Sequence, residues 1–385
     1  MSSGSWPSWL SQALERLNSN NLERSLLAIA PVDGMKIKVA GRDLCLFSSN
    51  DYLGLSSHPR VRRAAAEAAQ RLGMGPRGSA LICGYSEEHR ALEEDLATLE
   101  GSDSVLLCPT GYAANLAVIT ALADSETAIF SDALNHASIV DGCRLARANG
   151  AELHIYPHRD MNALESLLAA CQRPRKLLVS DGIFSMDGDL APLAELTELK
   201  HRYEALLVVD EAHGTLVMGA QGGGACEAAG VSDQVDVRVG TLSKAVGAQG
   251  GFLATNAALR RWLVSRGRSQ IFSTALPIPV VAAAREALRV VRQEPELRTR
   301  LRAHTERLSQ TLTHSKTPIF PLILGAEQRA LDASRQLFEA GFHVTAIRPP
   351  TVPKQTSRLR ITVTAAHSSD EVESLVTMMQ QLELC

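Results

Sequence analysis

Seven short strand candidates between Ser104 and Ala254 constrain this chain more than any other feature. They are Ser104–Cys108, Thr127–Phe130, Glu152–Tyr156, Lys176–Val179, Ala205–Val209, Val235–Val239 and Gly251–Ala254, and helical stretches separate most of them. Parallel strands need a crossover between them, usually a helix. The alternation therefore predicts an α/β fold with a mainly parallel central sheet covered on both faces. In such a sheet, functional groups gather beyond the carboxyl ends of the strands.

The flanks read differently. Residues 1–45 form an N-terminal segment whose Leu10, Leu14 and Leu17 recur at helical spacing, predicting a helical arm over Trp9–Leu27. Leu44–Phe47 reads as a short strand, Arg60–Arg71 as a helix, and Gly73–Ser79 as a glycine-rich loop. The large domain is expected over 46–285. A smaller C-terminal α+β domain is expected over 286–385, with strand-like pieces at Ile319–Leu324 and Leu359–Val363.

Composition narrows the function. Net charge is −3 with 21% charged residues, which leaves no electrostatic footprint for nucleic acid and no polybasic membrane anchor. No run of about 18 apolar residues predicts a membrane span. The opening Met1–Pro7 lacks the charged and apolar regions of a secretory signal. Seven dispersed cysteines without a C-x-x-C pair point to reduced thiols in the cytoplasm. No H-x-x-H or H-E-x-x-H pattern suggests a metal site, and no Walker A loop occurs.

The polar residues at the ends of the apolar runs carry the chemistry. Ala205–Val209 ends in Asp210-Glu211-Ala212-His213-Gly214, and Val235–Val239 leads into Gly240-Thr241-Leu242-Ser243-Lys244. A buried strand ending in Asp-x-x-His, then a strand ending in a hydroxyl-rich turn and a lysine, is a way to hold pyridoxal phosphate. Lys244 would form the Schiff base and Asp210 would pair with the pyridinium nitrogen. His213 and Ser185 could reach the ring oxygen, and His136 could stack on the ring. Gly111 and Tyr112 open a helix whose N–H groups suit a phosphate, and Thr241 adds a hydroxyl. Lys244 must be partly neutral to attack an aldehyde, whereas a free lysine titrates near about 10.4. Taken singly, each residue has a plainer reading as a cap, a structural imidazole or a solvated charge. Their order along the chain makes the case.

With these residues in place, the chain resembles the α-oxoamine synthases. The resemblance rests on Phe47-Ser48-Ser49-Asn50-Asp51-Tyr52-Leu53-Gly54-Leu55, Asp181–Asp189, Val209–Gly214 and Thr241–Lys244, and extends from about Leu22 to Leu382. It implies a fold type I pyridoxal phosphate enzyme, a homodimer, that joins an amino acid to an acyl thioester with loss of CO2. The runs Ala346–Pro353 and Arg358–Thr362 most resemble the branch that condenses L-alanine with a pimeloyl thioester of CoA or a carrier protein in biotin biosynthesis. By the same resemblance, Lys244, Asp210, His213, Ser185, Thr241, Gly111, Tyr112 and His136 hold the cofactor, and Lys244 and His136 act in catalysis. Arg24, Asn50, His136, Thr351 and Arg360 face the substrates.

Alternation places Arg358 and Arg360 on one strand face, opposite Leu359, Ile361 and Val363. A guanidinium fork suits a carboxylate, yet an edge strand would expose the same pair to solvent. Only the resemblance selects Arg360. One departure stands out: Gly75–Gly84 carries Cys83 where the family usually shows serine.

Overall fold

The computed structural model describes residues 5–312 and 314–384. Met1–Gly4 and Cys385, read above from sequence, lie outside them. The chain divides into two compact units, one drawn from Met1–Ser49 and Arg302–Cys385, the other Asn50–Leu301.

The larger unit holds a seven-stranded sheet. Its spatial order is Ser104–Cys108, Gly251–Thr255, Val237–Thr241, Leu206–Asp210, Arg175–Asp181, Thr127–Asp132 and Glu152–Tyr156. All neighbours are parallel except Gly251–Thr255, which runs antiparallel to both of its partners. Val237–Thr241 is buried along its whole length and Leu206–Asp210 at all but its first residue, so their sequences are near-continuous apolar runs. Val179, Val208 and Val239 pack with Ala114, Val118 and Ile139 of the covering helices Gly111–Leu122 and Ala137–Ala148.

The smaller unit joins both ends of the chain. Arg42–Leu46 pairs in parallel with Phe342–His343, so the N-terminal segment is a strand-forming part of this unit. The helical arm ends at Ser19 rather than Leu27. The divisions fall at 49/50 and 301/302, where the sequence suggests 45/46 and 285/286. The helix Ile278–Gln293 belongs to the larger unit because it packs on Pro59–Leu72 and Glu87–Glu100.

Arg358 and Arg360 lie on Ser357–Thr362, the middle strand of a three-stranded sheet, and every residue of that strand is buried. The solvated-edge alternative for these arginines is therefore excluded. Among the described residues, no helix is long and apolar enough to cross a membrane. The six described cysteines are free thiols.

Candidate functional site

Lys244 follows the strand Val237–Thr241 in a tight turn. Leu242 donates its N–H to Gly250 O at 3.0 Å, and Gly247 donates to Lys244 O at 2.9 Å. Gly247 has φ +70°, and a Cβ there would sit 2.4 Å from Ser56 N. The lysine turn thus lies against the backbone of the Asn50–Ser56 segment, an approach only glycine allows. Lys244 Nζ stands 2.8 Å from His213 Nε2. The other ring nitrogen, Nδ1, is 2.7 Å from the hydroxyl of Tyr52, which is fully buried.

Asp210 ends the adjacent strand. Its carboxylate accepts from Asn115 Nδ2 at 2.6 Å and from Ala212 N at 2.8 Å. The second Asn115 Nδ2 hydrogen serves Ser138 Oγ at 2.9 Å, while Asn115 Oδ1 is buried without a hydrogen-bond partner. Asp181 is the register partner of Asp210 on the next strand. Burial, then the charge of Asp210, pushes the Asp181 carboxyl well above the usual carboxylate range, against the opposing pull of Lys244.

His136 caps the helix Ala137–Ala148. Its backbone N–H donates to Asp181 Oδ2 at 2.9 Å, and its Nδ1 lies 2.7 Å from Ser138 Oγ. Burial lowers its affinity for a proton. Asp210 opposes that shift and Lys244 adds to it, so the ring is held toward its neutral form.

Gly111 is the first residue of the helix Gly111–Leu122, and a Cβ there would meet the Thr241 side chain at 3.3 Å. The helix start and the lysine strand therefore meet closely. Thr241 Oγ1 donates to Gly250 O at 2.9 Å and lies 2.8 Å from Ser243 Oγ, bracing the turn. The Tyr112 hydroxyl donates to Asp141. Ser185 occupies the turn after Asp181 that Phe184 N–H closes onto Asp189 O at 3.0 Å.

The smaller unit holds Arg24, Thr351 and Arg360. Arg24 donates to Pro349 O at 3.2 Å, and Thr351 N donates to Arg348 O at 3.1 Å. Arg358 donates to Thr356 O at 3.0 Å. Sequence reasoning missed two residues, Asn115 and the Tyr52 hydroxyl. Asn115 had a signal, as the lone amide in the apolar helix Ala113-Ala114-Asn115-Leu116-Ala117.

A family model described as aminotransferase class I and II matches residues 42–379. An 8-amino-7-oxononanoate synthase from Arabidopsis thaliana is 49% identical, over 88% of this chain and 74% of that protein. One from Anaeromyxobacter dehalogenans is also 49% identical, over 96% of this chain and 94% of that protein. The chain belongs to the α-oxoamine synthases, within that aminotransferase family. The fold of this synthase is likewise shared. A serine palmitoyltransferase from S. paucimobilis, solved with a bound PLP–myriocin aldimine, superposes with a TM-score of 0.91 at 30% identity. That match covers 97% of this chain and 96% of the other.

Proposed function

We propose that the chain is an 8-amino-7-oxononanoate synthase. It would condense L-alanine with a pimeloyl thioester, releasing CO2 and free thiol, as an early step of biotin biosynthesis. The carrying observation is the identity of 49% to enzymes of that name over nearly the full length, against 30% to a synthase of another name on the same fold. Fold alone does not separate these activities.

The residues present fit pyridoxal phosphate. An amine, a buried carboxylate, a flat imidazole and an open helix start surround one end of the sheet, and Asn115 Oδ1 is left unpartnered among them. When bound, the cofactor supplies an electron sink for the negative charge that develops at the amino acid Cα.

The chain's own groups do the rest. Lys244 would hold the cofactor and, as general base, would move the proton at the alanine Cα. Asp210, oriented by Asn115 and Ala212 N–H, would pair with the pyridine nitrogen and hold its proton. His136, held toward its neutral form, would stack on the ring and would donate a hydrogen bond to the thioester carbonyl oxygen. His213 and Ser185 address the ring oxygen. The N–H groups of Gly111 and Tyr112, with Thr241, address the phosphate. Arg24, Asn50, Thr351 and Arg360 bind substrate, with Arg360 on the amino acid carboxylate. The working form is a cytoplasmic homodimer.

The test is product analysis. Purified protein is supplied with L-alanine, glycine or L-serine, each with pimeloyl-CoA or a pimeloyl carrier protein. Mass spectrometry should find 8-amino-7-oxononanoate with alanine. Product with glycine or serine but not alanine would sink the substrate assignment, and the comparison of thioesters reads the acyl carrier.

A further inference from the structure

The lysine and its histidine do not stand alone. Tyr52 OH donates to Asn50 Oδ1 at 3.2 Å and lies 2.7 Å from His213 Nδ1, and His213 Nε2 lies 2.8 Å from Lys244 Nζ. Four residues thus form one hydrogen-bonded line.

The order of donors along that line can be worked out. A phenol has one proton, and an amide oxygen only accepts. Once Tyr52 has given its proton to Asn50, its oxygen must receive the next one. The donor is His213 Nδ1–H. A neutral imidazole carries a single proton, so Nε2 is then a lone pair. That lone pair faces Lys244 Nζ.

We infer that Tyr52 is a positioning residue: with Asn50, it fixes His213 as the Nδ1–H tautomer, so that His213 Nε2 is the acceptor of the first proton Lys244 gives up. The step balances within the line. Lys244 ammonium loses one proton and becomes an amine, while His213 gains that proton and becomes an imidazolium. Nδ1–H continues to donate to Tyr52, and no other group is needed. The burial of Tyr52 keeps water from competing for Nδ1. The need for a neutral lysine rests on the function proposed above, but the tautomer does not.

The test uses full-length protein labelled with 15N in histidine, stripped of cofactor. Long-range proton–nitrogen correlation reads which ring nitrogen of His213 carries the proton, and His213→Gln assigns the signal. The expected wild-type result is a protonated Nδ1 and a lone-pair Nε2. Tyr52→Phe should move the lone pair to Nδ1. Asn50→Ala should do the same with the tyrosine in place, because the hydroxyl proton then turns to Nδ1. Asn50→Asp, which keeps an acceptor oxygen, should retain the wild-type pattern.

Reloaded with cofactor, Tyr52→Phe should lose roughly 10- to 100-fold in kcat, the lower reach of what a positioned acid–base group supplies. A wild-type Nε2–H tautomer overturns the inference. So does a pattern unchanged in both Tyr52→Phe and Asn50→Ala. If Tyr52→Phe does not fold, the two Asn50 variants decide. Failure of the function reading shows separately, as absent product from wild-type protein whose tautomers behave as stated.

Discussion

Asp181 and Asp210 face each other as register partners at the carboxyl ends of adjacent parallel strands, and both are buried. Two carboxylates so placed do not readily carry two charges. The Asp210 carboxyl receives Asn115 Nδ2 and Ala212 N–H, whereas the Asp181 carboxyl receives the His136 N–H and is raised well above the ordinary range. Asp181, raised in this way, therefore serves as a brace for the His136 N–H, while two donors hold the Asp210 carboxyl.

That division predicts unequal responses to one chemical change. Asp181→Asn keeps an acceptor for the His136 N–H and should cost less than about tenfold in kcat, or about 1.4 kcal/mol. Asp210→Asn removes the carboxylate proposed above to face the pyridine nitrogen and should cost on the order of 100-fold or more, as loss of a preorganised electrostatic partner does. Steady-state kinetics with saturating cofactor compares them. Equal losses in the two variants would contradict the assignment.

A second pair of carboxylates sets a pH dependence. His158 Nδ1 and Nε2 each stand 2.9 Å from a carboxylate, Asp132 at the end of one strand and Asp189 in the loop that carries Ser185. Burial disfavours the imidazolium, but the bonds and charges of Asp132 and Asp189 outweigh it and raise His158 to about 9. The folded value thus lies above the unfolded one, near about 6.5. The clamp contributes fully below about pH 6.5, and its contribution is lost as pH rises through about 9. His158→Gln should destabilise by roughly 1.5–3 kcal/mol at pH 6, the worth of hydrogen bonds to a charged group. Denaturation curves between pH 6 and pH 10 should show the gap to wild type closing at the alkaline end. A gap that stays constant across that range would rule out the imidazolium clamp.

The central strands were readable because burial on both faces writes itself as an unbroken apolar run. Leu206–Asp210 and Val237–Thr241 begin within two residues of where the sequence places them. The polar residues after those runs, Asp210 and Lys244, were legible for the same reason. Tyr52 and Asn115 were not, because their partners are fixed by the fold, 161 residues away at His213 and 95 away at Asp210. The pairing of Arg42–Leu46 with Phe342–His343 is equally long-range. Burial of Arg358 and Arg360 was hidden too, since alternation gives a strand's faces but not whether the strand is central or at an edge.

Arg238 and Glu100 form an ion pair with a 3.0 Å contact, both side chains nearly inaccessible. Arg238 also donates to Glu100 O and Ser232 O. Burial, opposed by Arg238, raises the Glu100 carboxyl to about 7. Arg238→Met would strand that carboxylate and should cost about 3–5 kcal/mol. Adding Glu100→Met should recover most of the loss, because the cost lies in the unpaired charge. Urea denaturation of both single variants and the double variant checks this; a double variant as unstable as the sum of the singles would refute it.

Gly247 links backbone conformation to the turn that carries Lys244. Its φ is +70°, and an added Cβ would meet Ser56 N at 2.4 Å and the Leu55 carbonyl carbon at 2.7 Å, backbone atoms that no rotamer change can move aside. Ser56 N is itself bound to Asp51 Oδ2 at 3.1 Å, and Leu55 N to Asp51 Oδ1 at 2.9 Å, so the opposing segment is anchored. Gly247→Ala must therefore shift the turn that carries Lys244, separating Nζ from His213 Nε2. The expected result is a loss of roughly 1–3 kcal/mol in stability from the strained conformation, together with slower cofactor attachment at Lys244. Gly230 makes a matched control: its φ is +70° as well, but nothing lies within 4 Å of a Cβ built there. Gly230→Ala should show the conformational cost without the change in cofactor attachment. The rate at which cofactor-free protein takes up pyridoxal phosphate, followed by absorbance, separates the two; equal rates in both variants would mean that the close approach at Ser56 does not hold the lysine turn.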